Sequence, residues 1–312
     1  MTGRKARTGG RYGRTGRLKG ALLVVLGVGL GAGATYFVRG CARRPEAPSS
    51  ASRPAPAVPT ARPAPPSVSR PVPAPPSDFE PVDRVPGGVL ALVIDDIGFD
   101  PPSRTALSSL EGPLALAVIP SAPHAAEAAR LAREKGWDLL VHLPMDPEAG
   151  RAEKDSLGPK DDDAAIRTGV LSALARFPGA LGINNHQGSK ATADARVVRG
   201  VLEVVKEKGL FFLDSRTTPA SVAGAEAAKL GVPFVARDIF LDDAMTESAD
   251  PGGAPGALET AWEKAIAVVR KRGQAIVIGH PRKETLVFLQ EKIGLLGGKD
   301  GPRLVRVSEL VP

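Results

Sequence analysis

The chain has few cysteines, histidines and aromatic residues, and each shortage limits the kinds of site it can build. Cys41 is the only cysteine in 312 residues, so neither an intramolecular disulfide nor a zinc site made of cysteines is possible. Aromatic residues make up 4% of the chain, which leaves little material for the stacking surfaces that many sugar-binding proteins carry. Histidine occurs four times, so a cluster of histidines would contain most of the histidines in the chain.

Basic residues are concentrated at the start of the chain. Of the 41 Lys and Arg residues, ten lie within residues 1–44, which contain no acidic residue. The 31 that remain are outnumbered by the 34 Asp and Glu residues. Charge therefore gives no support to nucleic-acid binding by the body of the protein.

An apolar run follows the basic tail and predicts a membrane anchor. Residues 20–38 are 19 residues without a charge, close to the shortest helix that crosses a bilayer. The basic residues within 1–19 predict that this tail is cytoplasmic. We therefore expect a single-pass protein of a bacterial inner membrane, with its globular part in the periplasm. A cleaved signal peptide is the alternative interpretation.

Residues 45–86 have the composition of a linker. Fourteen of these 42 residues are Pro, with Ala, Ser and Val between them. Such a sequence favours extended chain without a core of its own. We interpret it as a disordered spacer that carries a domain away from the membrane.

From residue 88 onward, short apolar runs alternate with segments of helical spacing. The runs are VLALVID, LALAVIP, WDLLVHL, ALGINNH, LFFLDS, VPFVARDIF, QAIVIGH and LVRVSEL. This alternation predicts parallel strands joined by helical crossovers. Seven or eight such strands favour an α/β fold of the deformed (β/α) barrel type, and an open doubly wound sheet is the second choice. Either fold places functional side chains at the carboxyl ends of its strands.

Polar residues stand where these predicted strands end: Asp95 and Asp96, His142, Asn184 to His186, Asp214 to Arg216, Arg237 and Asp238, and His280. Three of the four histidines thus lie at one end of the predicted barrel. Imidazoles together with a carboxylate are ligands that zinc and similar ions prefer, so we expect a divalent metal, with zinc as the first choice. A structural alternative exists, because the paired aspartates could cap a helix near Ser103 and a strand-end histidine is often a hydrogen-bonded core residue.

Five motifs carry a resemblance to a known family: LVIDDIG, HLPMDP, GINNHQGS, FLDSRT and IGHP, in this order. They resemble the divergent polysaccharide deacetylases, a branch of the carbohydrate esterases with a deformed (β/α) barrel. The resemblance extends over residues 88–312. It implies a metal-dependent hydrolase that removes acetyl groups from an N-acetylated polysaccharide at the cell envelope. The expected partner is a glycan such as peptidoglycan or an exported polysaccharide, and the products are acetate and an amino sugar.

The resemblance also implies roles for individual residues. Asp95 is the general base and Asp96 a metal ligand, because the family's paired aspartates serve in that order. His280 matches the late histidine that acts as the general acid. Arg216 corresponds loosely to an arginine that orients the base.

The metal-ligand motif departs from the family pattern. The family has His-x-x-x-His, whereas this chain has His142 followed by Asp146 in the second position. His142 remains a predicted ligand. His186 is the preferred replacement for the missing histidine, and Asp146 is the alternative.

Six further residues are predicted to contact the substrate: Asn184, Asn185, Ser215, Arg237, Asp238 and His124. Amide and hydroxyl groups suit hydrogen bonds to sugar hydroxyls, although His124 could equally mark the start of a helix. Asp242 and Asp243 could line the mouth of the barrel, but a solvated loop is the preferred interpretation.

Two other functions stay open at this point. A catalytically inactive periplasmic module could bind a glycan or a cell-wall protein on the same barrel, and the missing second histidine favours it. A metal hydrolase of another class, such as a phosphoesterase, could use the same scaffold. The sequence shows neither a glycine-rich phosphate loop nor a second ligand cluster for that chemistry.

Overall fold

The computed structural model of the chain describes residues 87–102, 105–243, 256–298 and 301–312. The predicted cytoplasmic tail, membrane anchor and linker lie outside these residues, as does Ser103. Within the described ranges, no helix is both long and apolar enough to cross a membrane. All the helices and strands described below lie between Val89 and Leu310.

Strands and helices alternate along the described residues. The strands are β1 (Val89–Ile97), β2 (Ala115–Val118), β3 (Asp138–Met145), β4 (Gly182–Gln187), β5 (Phe211–Asp214), β6 (Phe234–Ala236), β7 (Ile239–Phe240), β8 (Gln274–Gly279) and β9 (Arg303–Val305). The α-helices are α1 (Ala125–Lys135), α2 (Asp163–Ala175), α3 (Ala195–Glu207), α4 (Ala223–Leu230), α5 (Ala257–Arg272) and α6 (Lys283–Leu295). Short 3-10 helices cover Ala106–Ser109 and Val307–Leu310.

The strands pair in parallel, and the two strands at the ends of the sheet follow each other directly in the chain. Their order is β6-β5-β4-β3-β2-β1-β8-β7, with β9 beside β1, so β6 and β7 stand at opposite ends although only Arg237 and Asp238 separate them. The N–H of Arg237 donates to the carbonyl of Asp214 in β5, whereas the N–H of Asp238 donates to that of Ile276 in β8. The segment 234–240 thus pairs first with β5 and then with β8. The chain thus connects the two ends of a curled sheet, which fits the predicted deformed barrel.

The inside of the barrel is a small apolar core that contains no residue from the α-helices. Its members come from alternate positions of the strands and include Val89, Ala91, Val93, Leu140, Leu213, Val235, Ile276 and Ile278. In β4 the inward position is Gly182, where a Cβ atom would lie 2.8 Å from the ring of Phe211. Since residues two apart in a strand share a face, these positions can be followed along each strand to its carboxyl end.

Helices cover the outside of the barrel, and some of their ends have clear capping residues. Asp162 accepts a hydrogen bond from the N–H of Ala165 and caps α2, as N-terminal aspartates commonly do. α1 and α4 each end at a glycine in the left-handed conformation, Gly136 and Gly231. The apolar faces of the helices pack on the outward side chains of the strands. Strand ends and loops are therefore left to carry the functional groups.

The last residues of the chain close the amino-terminal end of the barrel. β9 pairs with the first residues of β1, and three apolar side chains of the segment join the interior core: Val305, Val307 and Leu310. The carboxylate of Asp138, at the start of β3, accepts hydrogen bonds from the N–H and the hydroxyl of Ser308 at 2.8 and 3.0 Å. Among the described residues, the carboxyl end of the barrel is therefore the end that is left open to a ligand.

Candidate active site

The inward column of each strand continues into a polar residue at the carboxyl end of the barrel. In β1, Asp95 stands two residues after Val93, and in β3, His142 stands two residues after Leu140. The same step leads from Gly182 to Asn184 and His186, from Leu213 to Ser215, from Val235 to Arg237, and from Ile278 to His280. The period of the strand, rather than the path of a loop, thus brings these groups together.

Asp96 reaches the same place by a local change of backbone conformation. A regular strand would point it outward, because it directly follows the inward Asp95. Its φ is 57°, and the pairing of β1 with β2 shifts register between Ile94 and Ile97. This bulge turns both carboxylates toward the barrel mouth. Two more non-glycine residues with positive φ follow inward site residues directly, which is typical of strained functional sites: Gln187 and Arg216.

Three side chains converge at the mouth: Asp96, His142 and His186. The Oδ1 atom of Asp96 lies 3.0 Å from Nε2 of His142 and 2.7 Å from Nδ1 of His186, and the two nitrogens are 3.2 Å apart. The other ring nitrogen of His186 is buried and has no hydrogen-bond partner among the described residues. Asp146, the alternative ligand, lies near Lys160 instead. One atom from each of the three side chains therefore surrounds a common point.

The hydrogen bonds of His142 indicate whether a cation fits between Asp96, His142 and His186. The amide nitrogen of Asn184 donates to Asp95, so its Oδ1 accepts from Nδ1 of His142 at 2.9 Å. In a neutral imidazole, Nε2 then carries a lone pair that faces the Asp96 oxygen. That contact is repulsive unless the ring is protonated or a cation lies between the two atoms. One carboxylate oxygen and two imidazole nitrogens suit zinc and similar ions, so the residues fit a divalent metal.

Asp95 is held beside this cluster by neutral partners. Its side chain is 2% exposed, and its Oδ1 accepts a hydrogen bond from Asn184 at 2.8 Å. Its Oδ2 lies 3.5 Å from the hydroxyl of Ser215 and 3.8 Å from Nε2 of His142. Burial raises the pKa of Asp95, although the charges of His142 and His280 oppose the change. A carboxylate with a raised pKa is a better proton acceptor, which suits a general base.

The pKa values of the two neighbouring aspartates are shifted in opposite directions. Burial alone would raise the pKa of Asp96, but hydrogen bonds with His142 and His186 hold it well below its usual range. Burial likewise opposes the charged form of His142, and the nearby charges of Asp95 and Asp96 raise its pKa overall. Asp96 is therefore suited to remain an anionic ligand while Asp95 exchanges a proton.

His280 faces the cluster from the other side and is fixed by Asp242. Its Nδ1 lies 2.7 Å from Oδ1 of Asp242, and its backbone N–H donates to the other carboxylate oxygen. Thr285 also donates to Asp242, which is fully buried. Nε2 of His280 is left facing Oδ2 of Asp96 at 3.9 Å. The interpretation of Asp242 as part of a solvated loop is thus wrong, because it is the buried partner of His280.

The charge of Asp242 keeps His280 protonated. Burial alone would lower the pKa of His280, but the hydrogen bond and charge of Asp242, with smaller contributions from Asp96 and Asp95, raise it to about 9. The same pair lowers the pKa of Asp242 against the effect of its burial. An imidazolium with a free Nε2–H at the mouth is suited to donate a proton.

The arginine predicted to orient the base lies elsewhere. Arg216 is exposed, and its described hydrogen bonds are made by its backbone, to Asp214 and Arg237. Arg237 is the arginine of the barrel interior: it donates to the carbonyls of Ser215 and Arg216, and its guanidinium stacks on Phe240 at 3.7 Å. Arg216 thus has no described side-chain contact with Asp95, which Asn184 holds instead. Arg237 braces the end of β5, and its predicted contact with the substrate stays a prediction.

Three residues predicted to bind sugar are buried instead. Asn184, Asn185 and Ser215 are each at most 1% exposed. Asn184 bridges His142, Asp95 and Ser215, whereas Asn185 accepts from the N–H of Ser215. Their hydrogen bonds thus shape the site from behind and leave no surface for a sugar hydroxyl.

Two further predicted substrate contacts lie away from the cluster. Asp238 accepts from the N–H of Ile276 and forms an ion pair with Arg272 on the outside of the barrel. His124 precedes α1, as its alternative interpretation predicts, and its Nδ1 lies 3.6 Å from Glu127. Neither side chain has a described contact with the cluster or with His280, although the backbone N–H of His124 donates to the carbonyl of Gly98 in the loop after β1.

Fold and site together define a parallel (β/α) barrel protein with paired carboxylates and imidazoles at its mouth. The chain belongs to the divergent polysaccharide deacetylase family, whose model matches residues 92–311. The resemblance of the five motifs is thereby confirmed.

Two relatives and one solved structure are similar to this chain. An uncharacterized protein of Haemophilus influenzae is 40% identical over 202 residues, which are 64% of this chain and 69% of the relative. Protein YibQ of Escherichia coli, also described as uncharacterized, is 36% identical over 207 residues, 66% of this chain and 62% of the relative. The crystal structure of an uncharacterized protein from Agrobacterium tumefaciens superposes with a TM-score of 0.65 at 23% identity, over 74% of this chain and 92% of that one. That likeness shows the fold alone.

Proposed function

We propose that the protein is a metal-dependent deacetylase of an N-acetylated glycan. The observation that carries the proposal is the convergence of Asp96, His142 and His186 on one point, with a base candidate and an acid candidate beside it. Oδ2 of Asp95 lies 3.8 Å from His142, and Nε2 of His280 lies 3.9 Å from Asp96. Membership of the divergent polysaccharide deacetylase family supports the same chemistry.

The proposed mechanism divides the work among five side chains. Asp96, His142 and His186 would hold a divalent ion, zinc by preference, which would supply polarisation of the acetyl carbonyl. Asp95 removes a proton from the attacking water, and its raised pKa favours this transfer. His280 donates the proton of Nε2 to the departing amine, since an amide nitrogen leaves poorly without one. The C–N bond breaks, and acetate and an amino sugar are released.

The proposed location follows from the sequence outside the described residues. The apolar run at 20–38 and the basic tail before it support a single-pass inner-membrane protein. The Pro-rich stretch at 45–86 would let the barrel reach a periplasmic glycan. Peptidoglycan and an exported polysaccharide are the substrates that suit this location.

Metal content and acetate release of the full-length chain, purified without chelator, test the proposal. We expect close to one divalent ion per chain in the wild type and loss of that ion in Asp96→Ala and His186→Ala, measured by elemental analysis. His124→Ala is the matched control, because it removes the one histidine that is neither part of the cluster nor the proposed acid and should keep the ion. Acetate release from a β-1,4-linked tetramer of N-acetylglucosamine should follow metal content across the four proteins. A wild type that takes up no zinc, cobalt or manganese would contradict the proposed metal site.

A second candidate function is a binding module without catalysis. The observation in its favour is Asp146, which stands where the family pattern has a second histidine ligand. This alternative requires that the metal-loaded protein binds the tetramer but releases no acetate.

The pH dependence of the proposed reaction should reveal the Asp242–His280 pair. A general acid works only while protonated, and His280 has a pKa raised to about 9, so turnover should stay high through neutral pH and fall as pH rises through that region. Asp242→Asn removes the charge that raises the pKa, which therefore moves down toward its ordinary value. We expect the alkaline limb of kcat to shift to lower pH in this variant, while the charges of Asp95 and Asp96, which also face His280, are unchanged. Equal alkaline limbs in the two proteins would contradict a role of His280 as the acid.

A further inference from the structure

A cavity of about 380 Å³ opens beside the cluster on the side of His280. It lies between the loop that follows β1, the first 3-10 helix and the loop that follows β8. Its lining includes Asp96 and His280 but neither His142 nor His186. Its volume is at the small end of the range for ligand pockets, about 300–1,000 Å³. It has room for a single sugar residue with its substituents rather than for a long stretch of polymer.

The position of His280 decides which part of the substrate this cavity would receive. Nδ1 of His280 is engaged by Asp242, so Nε2 is the nitrogen available to the reaction. In the proposed reaction Nε2 protonates the leaving nitrogen, and that nitrogen is attached to the sugar ring. The ring must therefore lie on the His280 side of the cluster, where the cavity is.

Phe99 provides an apolar surface at this cavity. Its side chain is 48% exposed, and it is one of four large hydrophobic side chains exposed among the described residues. The neighbouring Gly98 has φ of 118° and packs against Ala122 and Ala125, so the loop leaves β1 in a conformation that L-residues avoid. An exposed aromatic ring costs solvation free energy unless a ligand covers it, and the apolar face of a pyranose ring is a suitable cover.

The charged side chains of the cavity favour a neutral sugar. Apart from Asp96 and His280, which belong to the site, the lining has one carboxylate, Asp100, and one guanidinium, Arg282. Arg282 donates to the carbonyl of Asp242, and a guanidinium has further N–H groups to offer a hydroxyl. Thr105, in contrast, already uses its hydroxyl to donate to Pro102 and to accept from Leu107.

We infer that this cavity is the subsite for the sugar ring that bears the acetamido group, with Phe99 as its stacking surface and a neutral N-acetylhexosamine as its ligand. The inference rests on the proposed deacetylase function. It adds a specificity-determining residue, because Phe99 touches the ring and not the acetyl group.

Kinetics and binding of the full-length chain test this subsite. The probes are the β-1,4-linked N-acetylglucosamine tetramer and N-acetylethanolamine, an acetamide without a sugar ring. Phe99→Ala should raise KM for the tetramer about tenfold and leave kcat unchanged, as expected for loss of one well-placed aromatic contact. Phe99→Trp should stay within about threefold of the wild type, because it keeps an aromatic face. Val287→Ala is the matched control, since Val287 is 52% exposed on α6 and does not line the cavity; it should change nothing.

A direct binding measurement separates this inference from the proposed activity. Ligand-observed NMR should show the dissociation constant of the tetramer rising with KM in Phe99→Ala, while hydrolysis of N-acetylethanolamine is unaffected. If the wild type releases no acetate, loss of tetramer binding in Phe99→Ala still upholds the subsite. If Phe99→Ala binds the tetramer as the wild type does, or Val287→Ala weakens binding equally, the subsite is overturned even in an active enzyme.

Discussion

Replacing Asp95 by Asn should lower kcat for acetate release about a thousandfold, within the range that loss of a general base produces. The change is nearly isosteric, and the amide oxygen can still accept the hydrogen bond from Asn184. Its new amide group can donate to the hydroxyl of Ser215, 3.5 Å away. The fold and the metal content should therefore persist while proton removal from water is lost. Thermal unfolding, elemental analysis and initial rates on the N-acetylglucosamine tetramer check the three statements separately.

Asp146→Asn is the matched control for this prediction. It makes the same change to a carboxylate that stands just after β3 and faces Lys160. Its activity should remain within about threefold of the wild type, since it removes no group from the site. Retention of full activity by Asp95→Asn would mean that Asp95 is not the base, and a thousandfold loss in Asp146→Asn would return that residue to the list of candidate ligands.

Substitutions of Asn184 should separate metal binding from catalysis. Asn184→Ala removes the acceptor that fixes Nδ1 of His142, and loss of such a partner typically weakens metal binding about 10- to 100-fold. Asn184→Asp keeps an acceptor for His142 but replaces the N–H donors to Asp95 by a carboxylate oxygen, 2.8 Å from the base. Since two carboxylates at that distance do not both ionise, we expect Asn184→Asp to retain its metal and to lose turnover about a hundredfold. Zinc titration and kcat measured on the same samples distinguish the two effects.

Asn185→Ala controls for damage to the fold. Asn185 is equally buried and points to the other face of β4, where it accepts from the N–H of Ser215. Its removal should lower the free energy of unfolding by about 1–3 kcal/mol, because a buried donor is left unpaired. Metal affinity should hardly change. Equal metal loss in Asn184→Ala and Asn185→Ala would show that general destabilisation, and not the contact with His142, is responsible.

The alternation of apolar runs and helical segments was sufficient to predict the barrel. It did not predict how the chain connects the two ends of the sheet. VPFVARDIF gave a single predicted strand, and the structure divides it into β6 and β7. The division depends on Arg237 and Asp238 donating to different strands. Which strand each of these N–H groups pairs with depends on the curvature of the whole sheet. The local sequence VPFVARDIF does not encode that curvature.

The candidate site was predictable where it follows the two-residue period of the strands. His142, His186 and His280 occupy inward positions, so knowing the strands was enough to bring them together. Asp242 was missed because it follows a strand of only two residues and sits in an acidic, loop-like sequence. Arg216 was assigned a contact it does not make, because its positive φ turns the chain at that point. Such a conformation in a non-glycine residue has no signature in the sequence.

The position of β1 in the ring has a consequence for the order in which the chain can fold. β1 carries both aspartates, yet two of its three neighbours are β8 and β9, which are synthesised after all the other described strands. A nascent chain can therefore pair β1 with β2 early, but the strand keeps an open, apolar edge until β8 and β9 have been made. Since His280 also follows β8, a truncated product has neither a complete barrel nor the acid. The proposed hydrolysis would therefore require a chain elongated past β8, and a chain interrupted before that point would be an aggregation-prone substrate for proteolysis.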